Sequence, residues 1–174
     1  MQVTMILLRF FHIVSGILWV GGVAMTVMFL APAVNGAGPA GRAVMRQLLT
    51  RSRFAAYFPA LGGLTVLSGI WMFWRDGEVA LGGFAAFNSS AMGITLSIGG
   101  LAGLVALIFG GLVVGRSVGK VAKILGTIDS SGGEPSSEQG TQMALLQARI
   151  AWGSRIVLPV LLIAATAMAV ARYV

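Results

Sequence analysis

Four long apolar stretches, separated by short gaps that hold nearly all of the charge, constrain this chain more than any other feature. A crossing of a hydrocarbon core about 30 Å thick takes roughly 20 apolar residues in helical form. The stretches at about 5–33, 54–74 and 91–115 meet that length, and the one at about 155–170 falls a little short of it. In lipid every backbone N–H and C=O must be satisfied internally, which leaves helices as the natural form for such runs. The expected fold class is therefore all-α. The expected architecture is an integral membrane four-helix transmembrane bundle, with residues 1–174 as a single transmembrane domain. The charged fraction agrees: it is 10% here, against about 25% in a soluble domain.

The opening run continues from Met5 to about Val34 and has no basic segment before it. It is too long for the core of a secretory signal, so it reads as a retained first helix. The net charge of +7 invites a nucleic-acid reading, but the basic residues are not gathered into an arm with interleaved aromatics. They sit in the gaps between apolar runs. Nine of the twelve Lys and Arg, namely Arg42, Arg46, Arg51, Arg53, Arg116, Lys120, Lys123, Arg149 and Arg155, fall in the first and third connections. Arg9, Arg75 and Arg172 fall on the other side. The positive-inside rule then makes 35–53 and 116–154 cytoplasmic loops and puts both termini outside. A multi-pass protein of a bacterial inner membrane is expected, with membrane lipid and not nucleic acid as its surroundings.

Within the gaps, Val44, Met45, Leu48 and Leu49 recur near helical spacing among arginines, which predicts a short amphipathic helix at the membrane surface. The second span closes on Trp71 and Trp74, then Arg75, Asp76 and Glu78. The Ser-, Gly- and Glu-rich stretch 129–140 reads as a mobile loop, after which helical periodicity resumes through Met143, Leu146 and Ile150. Glycines crowd the third span, with Gly99/Gly103 and Gly111/Gly115 as small-xxx-small pairs. Such pairs let helix backbones approach closely, within the bundle or in a homo-oligomer or larger membrane complex. The second and fourth spans both follow an arginine and both carry an early proline, Pro59 and Pro159, as a two-plus-two duplication would leave them.

Ionisable groups inside the spans are few. His12 is the only histidine, about two turns into the first span, and Arg9, His12, Gly16 and Trp19 share one helical face. A polar stripe on a membrane helix faces the bundle interior or a wet cavity. His12 suits a haem-iron or copper ligand, a proton-transfer group, or a hydrogen bond to a neighbouring helix. One histidine cannot make a bis-histidine site alone, so a second ligand comes from a methionine or from a second subunit. Met5 lies seven residues before His12 on the same face, and thioether sulfur suits Cu(I). The candidate set is thus His12, Arg9 and Trp19 for a cofactor, and His12 with Met5 for a metal; the cofactor is haem b or copper. Asp76 and Glu78 sit on the outer side, in a solvated loop, paired with Arg9, or at the mouth of an ion path. The expected spans contain no Asp, Glu or Lys, which argues against a carboxylate-driven pump. Without cysteine there is no thiolate site or disulfide. No phosphate-binding loop or dinucleotide fingerprint occurs.

The segment Leu8-Arg9-Phe10-Phe11-His12-Ile13-Val14-Ser15-Gly16-Ile17-Leu18-Trp19-Val20-Gly21-Gly22 resembles the first helix of CopD-like membrane proteins. Those carry an aromatic-x-His pattern, a small residue and a closing Trp-x-Gly-Gly. The architecture is also similar to that of HemJ-like protoporphyrinogen oxidases, whose first-helix histidine is associated with haem; His12 matches it. The lysine that family carries at the start of its third helix has Thr95 or nearby apolar residues in its place here. The resemblance implies haem or copper handling, or electron transfer, through His12. The alternative expectation is a non-enzymatic accessory subunit of a larger respiratory or photosynthetic complex.

Overall fold

A computed structural model describes residues 2–79, 83–131 and 135–174, and among them every element is helical. Helix α1 (Gln2–Met25) passes through a π-helical stretch, Thr26–Leu30, into α2 (Ala31–Gly36). The widened turn ends just before Pro32, whose ring would otherwise press on the carbonyl one turn back. The chain reverses at Ala37 and Gly38, where Gly38 has φ +58°, a backbone region that costs little only without a Cβ. Helix α3 (Gly38–Arg51) follows, then α4 (Phe54–Val79), α5 (Phe84–Ser89) and α6 (Ala91–Phe109). A second π-helical stretch, Gly110–Gly115, leads into α7 (Arg116–Ser131). Helix α8 (Ser137–Val170) starts on a capping box formed by Ser136 and Gln139 and ends in a 3₁₀ turn, Ala171–Tyr173.

Four continuous helical segments, Val3–Gly36, Phe54–Val79, Ala91–Ser131 and Ser137–Tyr173, are long and apolar enough to cross a membrane. Two antiparallel hairpins pair α1 with α4 and α6 with α8, and contacts of α4 with α6 and α1 with α8 close the bundle. Glycines set the register of both hairpins. In the first, Gly16 faces Thr65, Trp19 lies against Gly62 and Phe58 against Gly22. In the second, Gly99 faces Ala164 and Ala167, Gly110 faces Val157, and Gly153 faces Val113 and Val114. At the centre Trp19, Ala106, Val157 and Leu161 form one buried cluster, with Phe58, Leu61 and Leu107 packed on it. The outward faces are apolar: Ile6, Phe10, Ile13 and Ile17 on α1, and Ile94, Ile98, Leu101 and Val105 on α6, are all exposed. An apolar exterior over a small-residue interior suits lipid, where close packing rather than water exclusion holds helices together.

The element boundaries differ from expectation in three places. Helix α4 runs past Trp74 through Arg75, Asp76 and Glu78 to Val79. The predicted surface helix is present as α3. The stretch 116–154 is not a loop with one helical patch but a helical extension of two spans. There Val121 and Ile128 of α7 and Leu146 of α8 are buried, so the two helices have an apolar seam reason to continue. The predicted mobile loop 129–140 shrinks accordingly: α7 reaches Ser131 and α8 begins at Ser137, while 132–134 lie outside the described residues. At the other end of the bundle Phe87 is fully buried with its ring 5.2 Å from that of Phe73, pinning α5 against the end of α4.

Candidate functional site

The polar stripe of α1 meets a matching stripe on α4. His12 is half-buried between the two helices, and its Nδ1 lies 2.8 Å from the backbone oxygen of Thr65. A carbonyl oxygen only accepts, so Nδ1 carries the proton and donates it. The Ser68 hydroxyl lies 3.4 Å from the same nitrogen. One turn further along, the Thr65 hydroxyl is 2.8 Å from that of Ser15; Ser15 and Ser68 are both buried. These are the side-chain hydrogen bonds that join different spans among the described residues, and all of them lie between α1 and α4.

Gly69 gives the imidazole its room. A Cβ at that position would stand 2.8 Å from His12 Cε1 and 3.2 Å from Nδ1. The ring therefore sits against α4 at Gly69 with Cε1 nearest, held at Nδ1, while Nε2 has no hydrogen-bond partner among the described residues. A neutral imidazole protonated at Nδ1 carries its lone pair at Nε2. Donation of the other ring N–H to a backbone carbonyl is the arrangement that orients metal-bound histidines and fixes their tautomer.

The remaining expected residues fall around this ring. Met5 is buried on the same face of α1, about two turns toward the N-terminus. Met25 and Met28, in contrast, are exposed. Trp19 is buried two turns inward, its indole fitted against Gly62 beside Leu107. Arg9 is mostly exposed, and its guanidinium comes within 3.9 Å of Asp76 on α4. Asp76 is thus placed beside Arg9 rather than in a separate loop, because α4 continues past its tryptophans. Among the described residues no three His, Cys, Asp or Glu side chains converge, so a metal at His12 would take its other ligands from elsewhere.

Thr65 is absent from the residues expected at the site, and Ser68-Gly69 reads from sequence only as a small-residue pair for close helix packing. The signal was present: Thr65 and Ser68 stand three residues apart on α4, as His12 and Ser15 do on α1. Two hydroxyl-bearing stripes of equal spacing on adjacent antiparallel spans are candidates to face each other.

Charge marks the two ends of the bundle. Arg9, Arg75, Asp76 and Glu78 lie at one end of the first hairpin, and Arg51, Arg53, Arg116, Arg149 and Arg155 at the opposite end of the bundle. From Arg53 to Arg75 along α4 is about 33 Å at 1.5 Å per residue, close to the thickness of a hydrocarbon core. Trp71 and Trp74 are exposed at one level and Trp152 at the other, as in the aromatic belts of membrane interfaces. Comparison with known proteins finds no matching family model, no matching curated protein and no matching solved structure.

Proposed function

We propose that this chain is a four-span protein of a bacterial inner membrane that binds haem b or copper through His12, for electron transfer or for haem or copper handling. The observation that carries the reading is the anchored imidazole, whose Nδ1–H is bonded to the Thr65 carbonyl and whose Nε2 is left as a ligand atom. Both termini and the His12 end of the bundle lie outside, in keeping with nine basic residues at the opposite side. The similarity of the first helix to CopD-like and HemJ-like proteins supports the same assignment.

In this reading Nε2 of His12 is the protein's ligand to iron or copper. Thr65 and Ser68 hold the ring, Arg9 supplies positive charge on the outer side for an anionic group of the cofactor, and Met5 is the soft donor nearest in sequence. Trp19 closes the inner end toward the bundle core. The bound centre would supply one-electron chemistry. The test is an absorption spectrum of the detergent-purified protein, oxidised and reduced, with metal analysis on the same sample. A Soret band or stoichiometric copper that disappears in His12→Ala, with helical content retained, is the expected result. A colourless, metal-free protein sinks it.

A second reading, an accessory subunit of a larger membrane complex, draws on a different observation. A Cβ at Gly100, Gly103 or Gly111 would meet nothing within 4 Å, so one face of α6 stays open for another helix. In that case His12→Ala is silent in the spectrum, and Gly103→Leu disrupts co-purification instead.

A further inference from the structure

The arginines at the inner end form a level girdle. Gly62 of α4 faces Leu107 of α6; Arg53 lies nine residues before the first and Arg116 nine after the second, so the two stand at one height. Gly153 of α8 faces Val113 and Val114, which brings Arg149 and Arg155 to within about 8 Å of that height on either side. Arg51 ends α3, two residues before Arg53 across the extended Ser52. All five are exposed, and none is paired with a carboxylate among the described residues. At this end, among the described residues, the basic residue that is neutralised is Arg46, earlier on α3, by Asp129 of α7. Asp129 lies about 20 Å beyond Arg116 along α7, and Glu138 about 17 Å from Arg149 along α8. Trp152, 57% exposed, sits inside the girdle with its ring edge-on to Phe109.

We propose that this girdle is a binding surface for anionic phospholipid headgroups. Three features combine. The charges stand one hydrocarbon thickness from the opposite polar band, where lipid phosphates lie. They are guanidinium groups, which bind phosphate through two parallel N–H donors. They are also unneutralised, so lipids of net negative charge are favoured over zwitterionic lipids carrying the same phosphodiester. Each basic group near an anionic surface contributes about a fivefold preference. Three such groups acting together then give about a hundredfold.

The test uses the full chain purified in a mild detergent, with phosphatidylglycerol and phosphatidylcholine of matched acyl chains added in equal amounts. Retained lipid is counted by native mass spectrometry. Phosphatidylglycerol is expected to be retained preferentially, by tenfold or more. An R53Q/R116Q/R155Q variant should lose that preference, and R53K/R116K/R155K should keep most of it. Arg75→Gln at the opposite end should leave it intact. Equal retention of the two lipids by the wild type overturns the proposal, as does a preference that survives the glutamine variant. Competition by inorganic phosphate at the concentration of the lipid would show a free-anion site, and selective retention of an oligonucleotide over lipid a nucleic-acid surface; either result also overturns it. None of these outcomes depends on His12 or on a cofactor.

Discussion

Along the seam between α1 and α4 the close approaches fall on His12, Ser15, Thr65 and Ser68, and hydrogen bonds cross from one helix to the other. Along the seam between α6 and α8 they fall on Gly99, Ala164, Ala167, Gly110 and Val157. Hydroxyls exist there too, but Thr95 and Ser97 bond the carbonyls of Ala91 and Gly93 within their own helix. Two hairpins of similar register thus use different chemistry. A cross-helix hydrogen bond in a membrane is worth only about 0.6 kcal/mol on average, because the separated helices also find partners. Close apolar packing does the same structural work in the second hairpin without any polar group. The polar seam is therefore more than holding the helices together requires, which is why the site is placed there.

The sharpest way to break the comparison is to wedge the apolar seam. A Cβ at Gly99 would stand 3.1 Å from that of Ala167 and 3.3 Å from the Ala164 oxygen. Gly99→Leu should cost about 3 kcal/mol or more through overpacking and should lower the thermal midpoint in detergent. Gly103→Leu, on the open face of the same helix, should leave the isolated protein's midpoint nearly unchanged. If both behave alike, the α6–α8 register described above is wrong.

A smaller contrast comes from adding one methyl group to each seam. At Gly110 a Cβ would meet Val157 at 3.6 Å, an ordinary contact, so Gly110→Ala should gain about 0.5–1 kcal/mol of helix preference. At Gly69 the same methyl group collides with His12. Gly69→Ala should displace the ring, weaken its bond to Thr65 and lose about 1 kcal/mol. Opposite signs in a chemical or thermal unfolding series, with a changed histidine ring signal in NMR for Gly69→Ala alone, are expected. A stabilising Gly69→Ala would mean the ring does not lie against α4.

Much of this was readable before any coordinates. The four long apolar helices, the polar face of α1 and the short helix carrying Val44, Met45, Leu48 and Leu49 follow from periodicity and charge. Three things were not readable, each for a physical reason. The partners of His12 include a backbone carbonyl, which every residue has, so no side-chain code announces Thr65 as the acceptor. Helices α7 and α8 continue beyond the expected spans because they pack on each other there, and Val121, Ile128 and Leu146 are buried. Charges and small residues dilute that pattern along the chain. Gly99 and Gly103 look like one packing motif in sequence, yet one faces α8 and the other nothing. A spacing of four places residues on neighbouring rows, and only the position of the next helix decides which row is used.

Exchanging hydroxyls for methyls tests whether hydrogen bonds across the first seam differ from those within the second. Thr65→Val keeps the shape and the carbonyl that holds His12 but removes the contact with Ser15, together with the hydroxyl's bond to the Leu61 carbonyl of its own helix. It should cost about 0.6 kcal/mol, and not more than roughly 1.7. Thr95→Val removes a bond to its own helix and should be close to neutral. Equal shifts in the two unfolding curves would show that the cross-helix bond adds nothing in detergent.

The smallest expected effect lies at the rim. Arg9 reaches Asp76 across the first hairpin at 3.9 Å with 63% of its side chain exposed. Arg172, at the same end of the second hairpin, stacks on Tyr173 at 5.3 Å and stays within its own helix end. An exposed pair at that distance is worth about 0.2–1 kcal/mol and is screened by salt. A cation over an exposed aromatic ring is worth a similar amount, about 0.5–1 kcal/mol. Magnitude alone therefore does not separate Arg9→Gln from Arg172→Gln, but ionic strength can. Stability lost in Arg9→Gln at low salt should shrink toward zero at about 1 M, where the Debye length falls to about 3 Å. The loss in Arg172→Gln, which depends on a ring in van der Waals contact, should change less. If the Arg9 effect is instead large and insensitive to salt, the guanidinium is shielded from solvent, and this end of the α1–α4 seam is drier than its exposure suggests.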